Sequence, residues 1–346
     1  MPEISASNSI TAKVRAKFGA RLTPQNYHDM LTLGSVAEVA AYLKTRTRYA
    51  QALSDVRESA IHRGNLERRL NEQYLRDISG LCRFGRSVGD KMAAVVMRRE
   101  EMRVILEFLR YLASGHPEDY MLISSGISDR IVSFSIEKMA SARTLGELAA
   151  ALGTSPFAKT VDGFAKRGNG IDYTSIEAAI HAEMFRFERE FIIDNFNGDT
   201  RRDLLTLLNM KAELQNARLC YRAKKYYRSS KEIIMSRMLD ASCYINQDKR
   251  RRMADADSSD DVLDILRETR YGEYMKSTPH SSPSEFCARV MFKKYLNLLR
   301  MSSSPAVVSV CYTELTEIEI RNIVTIIEGV RYNASPDSIE KLIITE

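Results

Sequence analysis

SVAEVAAYL (residues 35–43), TLGELAAAL (144–152) and SSDDVLDIL (258–266) are three versions of one pattern. Each begins with a hydroxyl residue and places an acid in the first turn. Each then runs through a short apolar stripe and meets an aromatic just past its end, in Thr47-Arg48-Tyr49, Ser155-Pro156-Phe157 and Thr269-Arg270-Tyr271. The physical content is a helix start. A hydroxyl oxygen accepts one of the orphan N–H groups at a helix N-terminus, and a carboxylate there is favoured by the helix dipole. Ser35, Thr144 and Ser258 stand 109 and 114 positions apart.

A second marker keeps the same step. Glu100-Glu101-Met102-Arg103, Glu213-Leu214-Gln215-Asn216 and Glu319-Ile320-Arg321-Asn322 each lead into an apolar helical run, with Glu100, Glu213 and Glu319 separated by 113 and 106 positions. Glu100, Arg103, Glu213, Asn216, Glu319 and Asn322 are expected to be structural, closing helix ends in each repeat. Two unrelated markers in one register imply an internal threefold repeat. The expected segments are 1–119, 120–236 and 237–346, parts of one body and not independent domains. Each must bury one apolar face, and like faces pack by rotation about a shared axis or by stacking. Rotation gives a ring or funnel with an axial opening; stacking gives an open arch.

The remaining sequence is helical in character, and an all-α fold is expected. No proline occurs between Pro156 and Pro279, and proline is the commonest helix breaker. Leu66, Leu70, Tyr74, Ile78 and Leu81 form one stripe at helical spacing; Ile176, Ile180, Met184, Phe187 and Phe191 form another. Thr174 with Glu177, Thr200 with Asp203, and Ser282-Pro283-Ser284-Glu285 read as helix starts. A helix from Arg201 could run some 30 residues. Ala306–Val310 (AVVSV) is the one β-like run. Loops are expected at Gly115–Asp119, Gly163–Gly170, Ser277–Ser284 and Ser302–Pro305.

Composition excludes several classes. In 346 residues, hydrophobic content is 44% and charged content 28%, close to the globular average. No apolar run approaches a membrane span, and MPEISASNSI lacks the pattern of a secretory signal. The five cysteines form no CxxC pair and the five histidines are isolated. This suits mostly buried thiols in a reducing cytoplasm and argues against a metal site. GxxxxGK[ST], GxGxxG, GxSxG and HExxH are missing. Glu188 and Glu190 lie among arginines, where helical ion pairing is their ordinary role. No catalytic residue, cofactor or metal is expected.

The net charge is +6, with two basic clusters. Asp255, Asp257, Asp260 and Asp261 are expected to neutralise Lys249–Arg252. In RAKKYYR, Arg222, Lys224, Lys225 and Arg228 are candidate partner contacts, against the plainer reading of a solvated face. Neither cluster sits in a nucleic-acid reading motif. A helical-repeat scaffold or a basic nucleic-acid binder is the alternative reading.

The stretches Ala12-Lys13-Val14-Arg15-Ala16, Leu31, Ser35–Leu43, Tyr49–Leu53 and Glu319–Gly329 resemble the C-type stalk family of V-type and A-type ATPases (ATP synthases). Its members are the central-stalk C subunits of bacterial and archaeal V/A-type ATPases and the d subunits of eukaryotic V-ATPases. The likeness covers essentially the whole chain, through diffuse motifs that specify packing. Arg103 stands where the other repeats have Asn, and Ala151 and Phe157 replace Tyr. The resemblance implies a funnel-shaped, non-catalytic rotor component, one copy per complex, on the cytoplasmic face of the membrane. It also implies a socket joining the D and F shaft subunits to the proteolipid ring, for ATP-coupled H+ or Na+ transport.

Overall fold

The computed structural model of the chain describes residues 2–57, 63–84, 88–123, 132–168, 170–276 and 282–345; the side chains of 2–8, 82–84, 88–93 and 122–123 lie outside that description. The helices are α1 (Pro2–Gly19), α2 (Pro24–Leu31), α3 (Val36–Arg46), α4 (Arg63–Phe84), α5 (Val88–Ser114) and α6 (Tyr120–Ile123). Then come α7 (Ile136–Ala140), α8 (Leu145–Leu152), α9 (Pro156–Ala165), α10 (Tyr173–Asn195), α11 (Gly198–Arg222) and α12 (Lys231–Arg237). The last are α13 (Gln247–Asp255), α14 (Ser259–Arg267), α15 (Tyr271–Lys276), α16 (Pro283–Met301), α17 (Pro305–Arg331) and α18 (Pro336–Glu340). Among the described residues there is no strand, so the fold is all-α. His62, His280, the Cys82 side chain and residues 277–281 of one expected loop lie outside the described residues.

The chain forms two compact units, residues 1–93 with 288–346, and residues 94–287. The first is built on α17. This helix buries residues on nearly every face, from Ala306 through Tyr312, Ile318 and Ile323 to Val330, as a helix apolar all round must. Helices α1, α2, α3, α4 and α18 pack against it. The α4 stripe Leu66, Leu70, Tyr74, Ile78 and Leu81 is fully inside. Arg15 ties α1 to the end of α16: Nε donates to Leu299 O at 3.1 Å, and Nη2 to Arg300 O at 3.0 Å and Ser302 O at 2.8 Å. These are carbonyls that a helix terminus leaves without partners.

In the second unit α11 contacts α10, α13 and α14, while α9 packs on α8 and α10. Ile176, Ile180 and Met184 of the α10 stripe are buried, and it continues inward through Phe185, Glu188 and Ile192. Phe187 and Phe191 are half-buried, their rings 6.0 Å apart.

Several local expectations are corrected. AVVSV is the first part of α17, started by the Ser304 cap and Pro305. A run of five residues is too short for period to separate strand from helix. Helix α10 begins at Tyr173, because Asp172 accepts from Ser175 N at 3.2 Å; Glu177 instead accepts from the Tyr173 hydroxyl. Helix α11 starts at Gly198, before Thr200, and its α-helical part ends at Arg222. Glu188 is buried and reaches across to Arg99 on α5 at 2.6 Å, outside its own helix.

Candidate functional site

Six helix starts share one chemistry. The side chains of Thr23, Ser35, Ser135, Thr144, Asn246 and Ser258 each accept from the backbone N–H three residues on. They open α2 and α3, α7 and α8, α13 and α14, three helix pairs of one design. In the second helix of each pair an acid reaches back to an amide just before or at the cap: Glu38 takes Gly34 N at 2.7 Å, Glu147 takes Arg143 N at 2.7 Å, and Asp261 takes Ser258 N at 2.9 Å.

Each pair is fastened to a long helix by a carboxylate the fold has buried. Glu319 on α17 is 5% exposed, Glu101 on α5 is 2%, and Glu213 on α11 is 1%. A charge so deep is tolerated only when its lone pairs are filled. Glu319 accepts from Leu22 N at 2.8 Å and the Tyr49 hydroxyl at 2.7 Å, with the Arg48 guanidinium at 2.9 Å. Glu213 accepts from the amides of Cys243, Tyr244 and Ile245 and from the Tyr271 hydroxyl at 2.7 Å. Glu101 accepts from Ser133 N at 2.8 Å and the Ser155 hydroxyl at 3.2 Å, with Arg98 at 2.6 Å. Phe157 has no hydroxyl to offer, and Ser155 supplies one. Burial first, and the carboxylate beside it second, pushes the Tyr49 and Tyr271 hydroxyls well above the ordinary tyrosine range.

Two of the long helices add an asparagine clamp one turn on. Asn216 donates to Leu239 O and accepts from Leu239 N, both at 2.8 Å. Asn322 does the same to Ile344, at 2.7 and 2.9 Å. On α5 the corresponding residue is Val104, fully buried.

The register expected on α5 is therefore corrected by one residue. Glu100 is not the buried anchor; it pairs with Arg103 at 2.8 Å, on the more exposed side of the helix. Spacing alone cannot choose between adjacent glutamates. Helical phase can, because Glu101 shares its face with buried Val104, Ile105 and Phe108.

The candidate partner residues lie where α11 ends. The helix widens into a π turn, Ala223–Tyr227, and Arg228 closes it in the left-handed region at φ 47°. Non-glycine residues take that conformation at a cost, and π turns concentrate at functional positions. Tyr226 and Tyr227 are held 64% and 69% exposed, rings 6.5 Å apart. Lys225 sits over the Tyr221 and Tyr226 rings and donates to the Tyr221 hydroxyl at 2.9 Å, which holds its ammonium above the ordinary lysine range. Lys224, Lys225 and Arg228 line a shallow cleft with Ser229, Asp255, Asp257 and Ser258. Arg222 is exposed beside it.

The other basic cluster is neutralised by different acids than expected. Arg252 holds Glu268 with both Nη atoms at 2.9 and 3.0 Å, Lys249 donates to Glu268 O, and Arg250 pairs with Asp240 at 2.8 Å. Asp255 turns to Lys231 at 2.8 Å, and Asp261 to its own helix cap.

Beside the Arg48–Glu319 pair a cleft of about 40 Å³ is lined by Phe18, Tyr27, Phe292 and Tyr312, room for a water or two. Among the described residues no group of His, Cys, Asp and Glu could hold a metal ion, and no helix is long and apolar enough to cross a membrane. A comparison with curated proteins finds no match. The family model described as ATP synthase (C/AC39) subunit matches residues 10–342. That span takes in α4, α5, α10, α11, α16 and α17 whole and all three carboxylate anchors, and the chain belongs to the ATP synthase (C/AC39) family, the central-stalk components of V/A-type ATPases.

Proposed function

We propose that this chain is a non-catalytic rotor adaptor, one copy per complex on the cytoplasmic face of the membrane. It joins the D and F shaft subunits to the proteolipid ring and passes torque between them for ATP-coupled H+ or Na+ movement. The family match over residues 10–342 carries this reading. A part that bears torque must be stiff, and the long helices with their buried anchors support that requirement. In this reading the repeats 1–119, 120–236 and 237–346 surround a pseudo-threefold axis as a funnel. Arg222, Lys224, Lys225 and Arg228 belong to its contact surface; Glu213, Asn216, Glu319 and Asn322 hold its helices together.

The test is co-purification. A tagged chain drawn from its native membranes in mild detergent should bring the shaft and proteolipid components with it, and the isolated chain should neither bind nor hydrolyse ATP. Retention of oligonucleotides with a steep salt dependence, and no ATPase components, would replace the reading with a nucleic-acid binder.

A further inference from the structure

We infer that the π turn at 223–227, with its flanking cations and α12, docks on the headgroup layer of an anionic lipid bilayer. The inference rests on the stalk reading only for bringing the chain to a membrane; the chemistry is the turn's own. Arg222, Lys224, Lys225, Arg228, Lys231 and Arg237 fall within sixteen positions that hold Glu232 as the one acid. Clusters of this density bind anionic headgroups, each cation contributing while it lies within a Debye length of the surface. The Lys231–Asp255 pair adds no net charge, and Asp257, Asp260 and Asp261 lie exposed beside the turn. The attraction to anionic headgroups comes from Arg222, Lys224, Lys225 and Arg228, which the turn carries with no acid between them.

The apolar half of the match is equally specific. The π turn and the left-handed Arg228 present Tyr226 and Tyr227 side by side to solvent, and Ile233 on α12 is 46% exposed. Tyrosine carries an apolar ring and a polar tip, and it concentrates at the membrane–water boundary for that reason. A protein partner would favour tyrosine and arginine but disfavour lysine at the core of its contact. Here Lys224 and Lys225 directly precede the tyrosines, which selects the lipid surface.

The experiment is co-sedimentation of the full chain with phosphatidylcholine vesicles, with and without phosphatidylserine. Binding should require phosphatidylserine and weaken with salt. Replacing Arg222, Lys224, Lys225 and Arg228 with Gln should lower partitioning by on the order of 100-fold or more. Y226A/Y227A should lower it about tenfold while leaving the salt dependence. K224R/K225R, which keeps both charges, should bind as wild type, and urea midpoints equal to wild type show that each variant folds. Equal binding to both vesicles, or wild-type binding by the four-Gln variant, overturns the inference. So does retention on polyglutamate with no vesicle binding, which assigns the patch to an acidic protein. Loss of vesicle binding with ATPase components still co-purifying removes the lipid contact alone; loss of co-purification removes the stalk reading whatever the vesicles do.

Discussion

The Tyr49 hydroxyl donates to Glu319 at 2.7 Å across 270 residues of chain, and Tyr271 donates to Glu213 at the same 2.7 Å across 58. Both phenols sit far above the ordinary value of 10.0 because burial, then the carboxylate, opposes their ionisation. A group whose pKa is raised by folding binds its proton more tightly in the native state. Its contribution is complete below about pH 10 and is lost as pH climbs past it. Urea midpoints should therefore fall steeply above pH 10. Y49F and Y271F should start lower, by about 1–2 kcal/mol each, and show a shallower alkaline fall.

Glu213 is filled by three backbone amides and one hydroxyl, and its loss strands all four. Glu213→Ala should cost about 3–5 kcal/mol, read by urea denaturation monitored by circular dichroism. Glu100→Ala, one residue from the α5 anchor, should cost under about 1 kcal/mol, while Glu101→Ala should resemble Glu213→Ala. Equal losses at Glu100 and Glu101 would contradict the one-residue register.

The asparagine clamps need both a donor and an acceptor. Asn216→Asp and Asn322→Asp keep the acceptor but aim an anion at a carbonyl, and each should destabilise by about 2–3 kcal/mol. Amide exchange at Ile344 should accelerate in the Asn322 variant and stay unchanged in the Asn216 variant.

Gly272 follows Tyr271 where α15 begins. A Cβ there would lie 2.1 Å from Arg267 O, a backbone atom that cannot swing aside. Gly272→Ala should cost about 2–4 kcal/mol, checked by thermal unfolding. Gly146→Ala, whose Cβ would meet only Thr144 Oγ at 4.0 Å, should be neutral or slightly stabilising.

The thiols differ in access. Burial pushes the Cys220 and Cys287 thiols up to about 12, and Cys311 is wholly inside. Among the described cysteines, Cys243 and Cys287 are both half-buried, but the Cys287 thiol is the one held up to about 12, so Cys243 should be the first labelled by a thiol reagent at neutral pH. Mass spectrometry at partial labelling identifies the site.

Helix starts are legible in the sequence because a cap is a local event: Ser35, Thr144 and Ser258 satisfy amides three residues away. The aromatics after each stripe are legible as a pattern but not as partners, since Tyr49 meets Glu319 only through tertiary packing. Spacing misplaces the α5 anchor because Glu100 and Glu101 differ only in helical phase, while the real distinction is burial. AVVSV is ambiguous because its β-branched residues suit a strand and a fully enclosed helix alike. The basic turn is visible as composition; the π turn that exposes its tyrosines depends on how α11 ends and leaves no periodic trace.

The unit holding Glu101 and Glu213 is one unbroken stretch, residues 94–287, whereas the unit holding Glu319 is assembled from residues 1–93 and 288–346. On a ribosome the order of completion follows. The contacts internal to residues 94–287 can all form once residue 287 has cleared the exit tunnel. The segment bearing Tyr49 emerges earlier yet is finished later, because its carboxylate is translated only after that stretch is complete. Newly made helices α1 to α4 therefore lack α17, the helix they pack against, until the last part of the chain is translated.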